Sequence, residues 1–329
     1  MKVLYIGGTG EISYECVLRD VELGRSVTVF NRARRGEPLL PDVRQVTGDL
    51  NNQAAYEALG REDWDVVCQF LGFDLPRVRA DAEIFAGRCG QYVFISSASA
   101  YCKPPPGYVI TEDVPLGNPY WPYSQAKADM EEYLLAQHAS GRLAVTIVRP
   151  SHTLRSRFPG GITNGDDWAW RMLSDKPVII QGDGSSLWTL THSADFAAVF
   201  CNLLGNPGAL GEAFHITRHM ESFTWDDIFQ AVGRAVGKAP RIVHVPIDTL
   251  VRYQKDWAGP LLGDKAWSVM FDNSKVMRVA GKFACRFGLD ETMQMAAEHW
   301  RKRADGYRAD PVRTALLDRI AAEQSALGA

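Results

Sequence analysis

MKVLYIGGTGEIS (residues 1–13) decides how the rest of the chain is read. KVLYI is a short run of β-branched and aromatic side chains that ends in paired glycines, and a helical stretch follows at 11–23, closed by Gly24. A strand that passes into a helix through a glycine turn is the opening unit of a parallel sheet with crossover helices. The alternation then repeats. RSVTVFNR is a second β run and VRQVTGDL a third; a helix at 53–59 leads into the strand WDVVCQFLG. A helix at 76–89 leads into QYVFISSAS, and the helix containing YSQAK (123–127) leads into LAVTIVRP. Beyond Pro150 the rhythm loosens. SHTLRSRFPGGITNGDD reads as a loop, followed by a helix at 168–174, the strand PVIIQG, a helix at 194–204, the strand AFHIT, a helix at 225–236, the strand RIVHVP and charged helices from Asp290. The pattern predicts an α/β protein: a doubly wound parallel sheet over residues 1–165 and a smaller α+β part, mainly substrate-binding, over 166–329.

Composition narrows the function. With 46% hydrophobic and 23% charged residues and a net charge of -3, the chain is an ordinary globular protein without a basic field to hold a nucleic-acid backbone. The start runs straight into a strand without an apolar signal segment, and no stretch approaches the roughly 20 apolar residues that span a bilayer. The six cysteines (16, 68, 89, 102, 201 and 285) carry no CxxC pairing and no histidine at metal spacing. The expectation is a cytoplasmic protein with free thiols, no metal, no membrane and no nucleic-acid partner.

GGTGEIS places Gly7 and Gly10 in the first turn, with Ser13 where a dinucleotide fingerprint has its third glycine. Glycines permit the tight turn and a close backbone approach, and the helix start at Glu11 and Ile12 presents N–H groups to a pyrophosphate. The second strand normally ends in an acid that accepts hydrogen bonds from the adenosine ribose. Here it ends FNRARR, with Asn31, Arg32, Arg34 and Arg35. Guanidinium groups match a 2′-phosphate, so NADP is expected over NAD. In YSQAK, Tyr123 and Lys127 lie one helical turn apart on one face. A phenol has a pKa near 10, and an ammonium one turn away lowers it, which suits a proton donor and acceptor.

Taken together, these segments resemble the extended, epimerase/dehydratase-like branch of the short-chain dehydrogenase/reductase superfamily. GDL (48–50) is similar to the segment whose Asp, here Asp49, meets the adenine amino group; Leu50 accompanies it. DVVCQFLG matches the family's next cofactor strand, with Gln69 for the usual His, Leu71 for the usual Ala, and then Gly72. FISSASAY matches the serine strand with Ser97 as the hydroxyl, YSQAK the YxxxK helix, and TIVRP the strand whose end, Pro150 and His152, lies where nicotinamide and substrate meet. The resemblance implies a Rossmann-type fold in which some C-terminal segments return to the sheet. It also implies a catalytic set of Ser97, Tyr123 and Lys127, a ribose contact from Lys127, and a homodimer.

The departures carry weight as well. The Asp-Glu pair of the dehydratases is replaced by Ala98 and Ser99, and the Arg with which nucleotide-sugar epimerases grip a diphosphate is replaced by Trp188. In these respects the chain looks closest to an atypical subgroup that includes the chloroplast stem-loop RNA-binding proteins. Those tend to lack the YxxxK tyrosine; this chain retains it. The expected function is NAD(P)-dependent oxidoreduction or epimerisation at a carbinol carbon of a sugar or sugar-nucleotide-like substrate. The alternatives are a simple ketone or aldehyde reductase, or a non-catalytic nucleotide-sensing or RNA-binding protein. His152 is read as a site residue or a buried structural histidine. Trp168 and Trp170 are read as core, with a sugar-stacking wall as the alternative.

Overall fold

The computed structural model describes residues 1–33 and 38–327. Seven strands form one parallel sheet: β1 (Lys2–Ile6), β2 (Ser26–Asn31), β3 (Arg44–Thr47), β4 (Trp64–Gln69), β5 (Cys89–Ile95), β6 (Val145–Pro150) and β7 (Ala213–Ile216). Their order is β7-β6-β5-β4-β1-β2-β3, so the chain winds outward in both directions from β1. This is the Rossmann-type doubly wound sheet expected from the alternation. The direction of winding reverses between β1 and β4, all strands staying parallel, which opens a crevice at their carboxyl ends.

Apart from the exposed edge strand β3, the strands read as largely apolar runs because both faces are covered. In β1, Val3 and Tyr5 join the core beneath α1 (Ser13–Glu22), while Leu4 and Ile6 join the core on the opposite face. Val66 and Cys68 of β4, and Val93 and Ile95 of β5, follow the first set; Val67, Tyr92 and Phe94 follow the second. The second face is closed by α2 (Gln53–Glu57), α3 (Leu75–Phe85) and α4 (Pro122–Ala139), through Tyr56, Phe85, Met130 and Leu134. After α5 (Gly165–Leu173), α6 (Ser193–Leu203) returns to the first face, where Phe196 and Phe200 pack with Val17 of α1. Strand β7 then extends the sheet beside β6, with Phe214 opposite Val148. A separate core gathers Trp168 from α5, Ile179 from the strand Val178–Gln181, Trp225 and Phe229 from α7 (Trp225–Val236), and Trp300 from the helix Leu289–Arg303.

Three local readings are corrected. Helix α3 stops at Phe85 and Cys89 opens β5, because Gly87 adopts a left-handed φ of 70° that ends the helix. The segment after Pro150 is not all loop: His152–Leu154 pairs in parallel with Leu190–His192. Helix Ile247–Tyr253 and the π-helical turn Leu261–Lys265 also form where no period was read. Among the described residues the cysteines are all unpaired, no helix is long and apolar enough to cross a membrane, and no cluster could hold a metal ion.

Candidate functional site

The glycine turn leaves β1 with Gly7 at φ +94°, where a Cβ would lie 2.6 Å from Leu71 Cγ. Only glycine fits that approach. Ser13, in place of the third glycine, ties the turn to itself. Its hydroxyl donates to Gly7 O at 2.7 Å and accepts from Gly10 N at 3.0 Å. Beyond the turn, at the carboxyl ends of β1, β2, β3 and β4, lies a cleft of about 640 Å³. Its lining includes Gly7, Gly10, Asn31, Arg32, Asp49, Leu50 and Leu71, and also Phe73. A turn that a Cβ would block and a cleft of this size at the switch point fit a dinucleotide.

Other expected cofactor residues stand elsewhere. The Glu11 carboxylate accepts from Arg155 N at 3.0 Å and Ser156 N at 2.8 Å, so it pins the loop after β6. Ile12 precedes α1 and packs on the core, and Pro150 is buried in β6; neither lines the cleft. Arg34 and Arg35 lie outside the described residues. At the end of β2, Asn31 Oδ1 accepts from Ala33 N at 2.9 Å and from Gln45 Nε2 at 2.8 Å. Both acceptor positions of that oxygen are therefore taken, and the side chain turns only its NH2 group outward as a further donor.

Gln69 explains how the loop after β4 is held without the usual histidine. It donates to Asp81 Oδ2 at 2.6 Å and to Tyr56 Oη at 3.1 Å, and accepts from Leu71 N at 2.7 Å. Asp81, buried on α3, also receives the hydroxyls of Tyr56 and Tyr92. Burial pushes the Asp81 carboxyl upward and these three donors pull against it.

Helix α4 begins at Pro122, whose ring suits a first helical position, and sets Tyr123 and Lys127 one turn apart. Lys127 is buried at 2% exposure and donates to Gly72 O at 2.7 Å and Ile95 O at 2.8 Å. Burial pulls its pKa down to about 7, with Glu131 one turn later opposing the shift. Burial raises the Tyr123 phenol, and a hydrogen bond from Ser97 counters that rise. Ser97 is itself set by a hydroxyl chain. Ser124 Oγ donates to Ser99 Oγ at 2.7 Å, Ser99 Oγ lies 2.9 Å from Ser97 Oγ, and Ser99 N donates to Ser97 Oγ at 3.2 Å. With its oxygen supplied from Ser99, Ser97 keeps its own proton to give away. Tyr101, four residues on, is fully buried against His215 Nδ1 at 3.0 Å and takes no part.

Ser97 and Tyr123 open into a second pocket of about 300 Å³, lined also by Ser99, Trp121, His152, Thr153, Trp188 and Lys265. Trp188 Nε1 donates to His152 Nδ1 at 3.1 Å. Burial, with Lys265 nearby, pushes the imidazole down to about 3, so it is neutral and carries its hydrogen on Nε2. Trp168 is core, stacked edge-on to Phe229. The indoles at the site are Trp121 and Trp188. Sequence reading did not single out Trp121, Thr153, Asp264 or Lys265, and it noted Trp188 only for the arginine it replaces.

Residues 3–217 match the family described as NAD dependent epimerase/dehydratase. A curated relative, the chloroplast stem-loop binding protein of 41 kDa b from Arabidopsis thaliana, is 27% identical over 264 residues. The match covers 74% of this chain and 65% of the relative, so the chain spans less than two thirds of that protein's length. Among solved structures, an epimerase from Methanothermobacter thermautotrophicus aligns with a TM-score of 0.78 at 15% identity, covering 92% of this chain and 93% of that one. UDP-glucose 4-epimerase of Thermus thermophilus, solved with NAD, aligns at 0.73 with 22% identity, covering 92% and 99%. dTDP-glucose 4,6-dehydratase of Bacillus anthracis, also with NAD, aligns at 0.73 with 19% identity, covering 93% and 98%. At these identities the structures speak to the fold.

Proposed function

Because the chain belongs to the NAD dependent epimerase/dehydratase family, we propose that it is an NAD(P)-dependent oxidoreductase or epimerase acting at a carbinol carbon of a sugar-like small molecule. The observation that carries this reading is the convergence of Ser97, Tyr123 and Lys127 between the glycine-turn cleft and the second pocket. When bound, a nicotinamide dinucleotide supplies the hydride acceptor or donor. The chain supplies position and the proton. Ser97 donates to the substrate oxygen and holds it beside Tyr123. In oxidation the Tyr123 oxygen takes the hydroxyl proton as the C–H electron pair leaves carbon; in reduction the phenol returns a proton to the forming alkoxide. Lys127, fixed on Gly72 O and Ile95 O, stabilises the phenolate from the neighbouring turn.

Gly7 and Leu71 shape the pyrophosphate turn, and Asp49 and Leu50 border the adenine end. Asn31 offers no free acceptor for a ribose hydroxyl and Arg32 stands on the cleft wall, which supports NADP over NAD. The absence of an acid at Ala98 and Ser99 argues against dehydration. The test is to bind NADP and NAD by calorimetry and follow reduced nicotinamide absorbance with a panel of aldoses, ketoses and their alcohols. A protein that binds neither dinucleotide, or that turns over nothing while binding one, refutes the reading.

The stem-loop binding relative motivates a second reading, recognition of structured RNA. The net charge of -3 and the retained Tyr123 weigh against it.

A further inference from the structure

The pocket beside Tyr123 is walled by two indoles with one cation between them. Trp121 lies against Tyr123, with ring centroids 4.9 Å apart. Lys265 Nζ is 6.0 Å from the Trp121 ring centroid and 5.5 Å from that of Trp188. The reactive phenol and the ammonium thus both border the Trp121 ring. Trp188 is braced from behind by Trp225, stacked at 5.5 Å, and its N–H is fixed on His152. These walls are rigid.

The charges do not cancel. Asp264 is the carboxylate facing Lys265, at 3.6 Å, and it is shared with Lys103, a buried lysine at 7% exposure whose charge acts on the same carboxyl. Asp264 lines the pocket beside Lys265, and Lys103, outside the pocket lining, draws on the same carboxyl, so Lys265 is only partly neutralised. The pocket is also polar: Ser97 and His152, whose Nε2 carries the ring hydrogen, stand among its lining residues.

From this we infer that the substrate is a single sugar ring or sugar-like chain carrying one anionic group, a carboxylate or a phosphomonoester. Its apolar C–H face lies on Trp121 and Trp188, its charge on Lys265, and its reacting oxygen on Ser97. The size agrees: about 300 Å³ is at the lower end of the range, roughly 300–1,000 Å³, for small-molecule pockets. This inference rests on the oxidoreductase reading above and names the substrate class of the same site.

The experiment measures binding with NADP present at saturation, by calorimetry and tryptophan fluorescence, so it does not depend on turnover. The probes are pentose and hexose monophosphates, the corresponding sugar acids, the matching neutral aldoses, and UDP-glucose. At least one anionic sugar is expected to bind about tenfold or more tightly than its neutral counterpart, the scale of one charge-assisted pair. Phosphate and carboxylate probes identify which anion it is. Lys265→Met should abolish that preference, Lys265→Arg should keep most of it, and NADP affinity should stay within about twofold in both. Tightest binding by UDP-glucose, no anionic preference, or a preference that survives Lys265→Met overturns the inference. Failure to bind any dinucleotide instead overturns the oxidoreductase reading.

Discussion

Lys127 Nζ lies 2.7 Å from the carbonyl oxygen of Gly72, joining the start of α4 to the loop that floors the cofactor cleft. A second bond, 2.8 Å to Ile95 O, ties it to the end of β5. The ammonium is thus placed by backbone carbonyls, which do not titrate.

Burial sets the pKa of Lys127 at about 7, well below the 10.5 of a free lysine. The group is charged in the folded protein below about 7 and loses its proton as pH rises through that value. Reduction needs a protonated Tyr123, which burial keeps protonated, and a charged Lys127 to stabilise the phenolate that forms. We predict that kcat/KM for reduction is level below about pH 7 and declines above it. A profile that stays level to about pH 9 contradicts the assignment.

Tyr123→Phe should lower turnover by about 100-fold or more, the ordinary scale of general acid–base catalysis, with NADP affinity nearly unchanged. The phenol faces the substrate pocket and is not on the lining of the dinucleotide cleft. Steady-state kinetics and calorimetry on one preparation separate the two effects. Retention of more than roughly a tenth of the wild-type rate would remove Tyr123 from the mechanism.

Arg32 lines the cleft next to an Asn31 whose oxygen is already occupied. One charge-assisted pair to a 2′-phosphate contributes about 1.5–3 kcal/mol, which corresponds to roughly 10- to 100-fold preference for NADP. Arg32→Ala should erase most of it and leave NAD affinity alone. Equal binding of both dinucleotides by the wild type would sink the proposal.

Asp81→Leu should destabilise the fold by about 3 kcal/mol or more, because it strips the acceptor from Tyr56, Tyr92 and Gln69 in a buried site. Denaturant unfolding measures the loss. The same variant should weaken dinucleotide binding, since Gln69 Oε1 holds Leu71 N. Intact stability would mean that the network is not the support of the loop.

No specific RNA binding is expected at physiological salt, given the net charge of -3. A structure-selective complex below about micromolar affinity under those conditions would favour the second reading.

The sheet was legible because strands buried on both faces are written as largely apolar runs, and β1, β2, β4, β5 and β6 are of that kind, whereas the edge strand β3 is mostly exposed. Ser97, Tyr123 and Lys127 were legible because local motifs place them. The substrate pocket was not, because it is assembled from distant, short pieces. His152–Leu154 finds Leu190–His192 across a three-residue pairing too short to show a period, and Lys265 sits in a π-helical turn. Ser99 was noted for the acid it lacks; its hydroxyl's place between Ser124 and Ser97 exists only once α4 is docked on β5. Glu11 belongs to the glycine turn in sequence, yet its carboxylate accepts from the backbone N–H groups of 155 and 156.

The pairing of β7 with β6 also has a consequence for synthesis. Strand β6 ends at Pro150 and its neighbour β7 ends at Ile216, 66 residues later (216 minus 150). At about 5–20 residues per second, a ribosome takes roughly 3–13 s to deliver the second after the first. During that interval the backbone edge of Ile147 and Val148, fully covered in the finished molecule, faces water in the nascent chain. An unpaired apolar edge is a template for association with other chains. The helix α6, emerging before β7, covers the Val148 side with Phe196 and Phe200 but leaves the backbone edge open until β7 pairs with it. Slowing translation between residues 150 and 216 should therefore lower the yield of folded protein more than slowing it after 216.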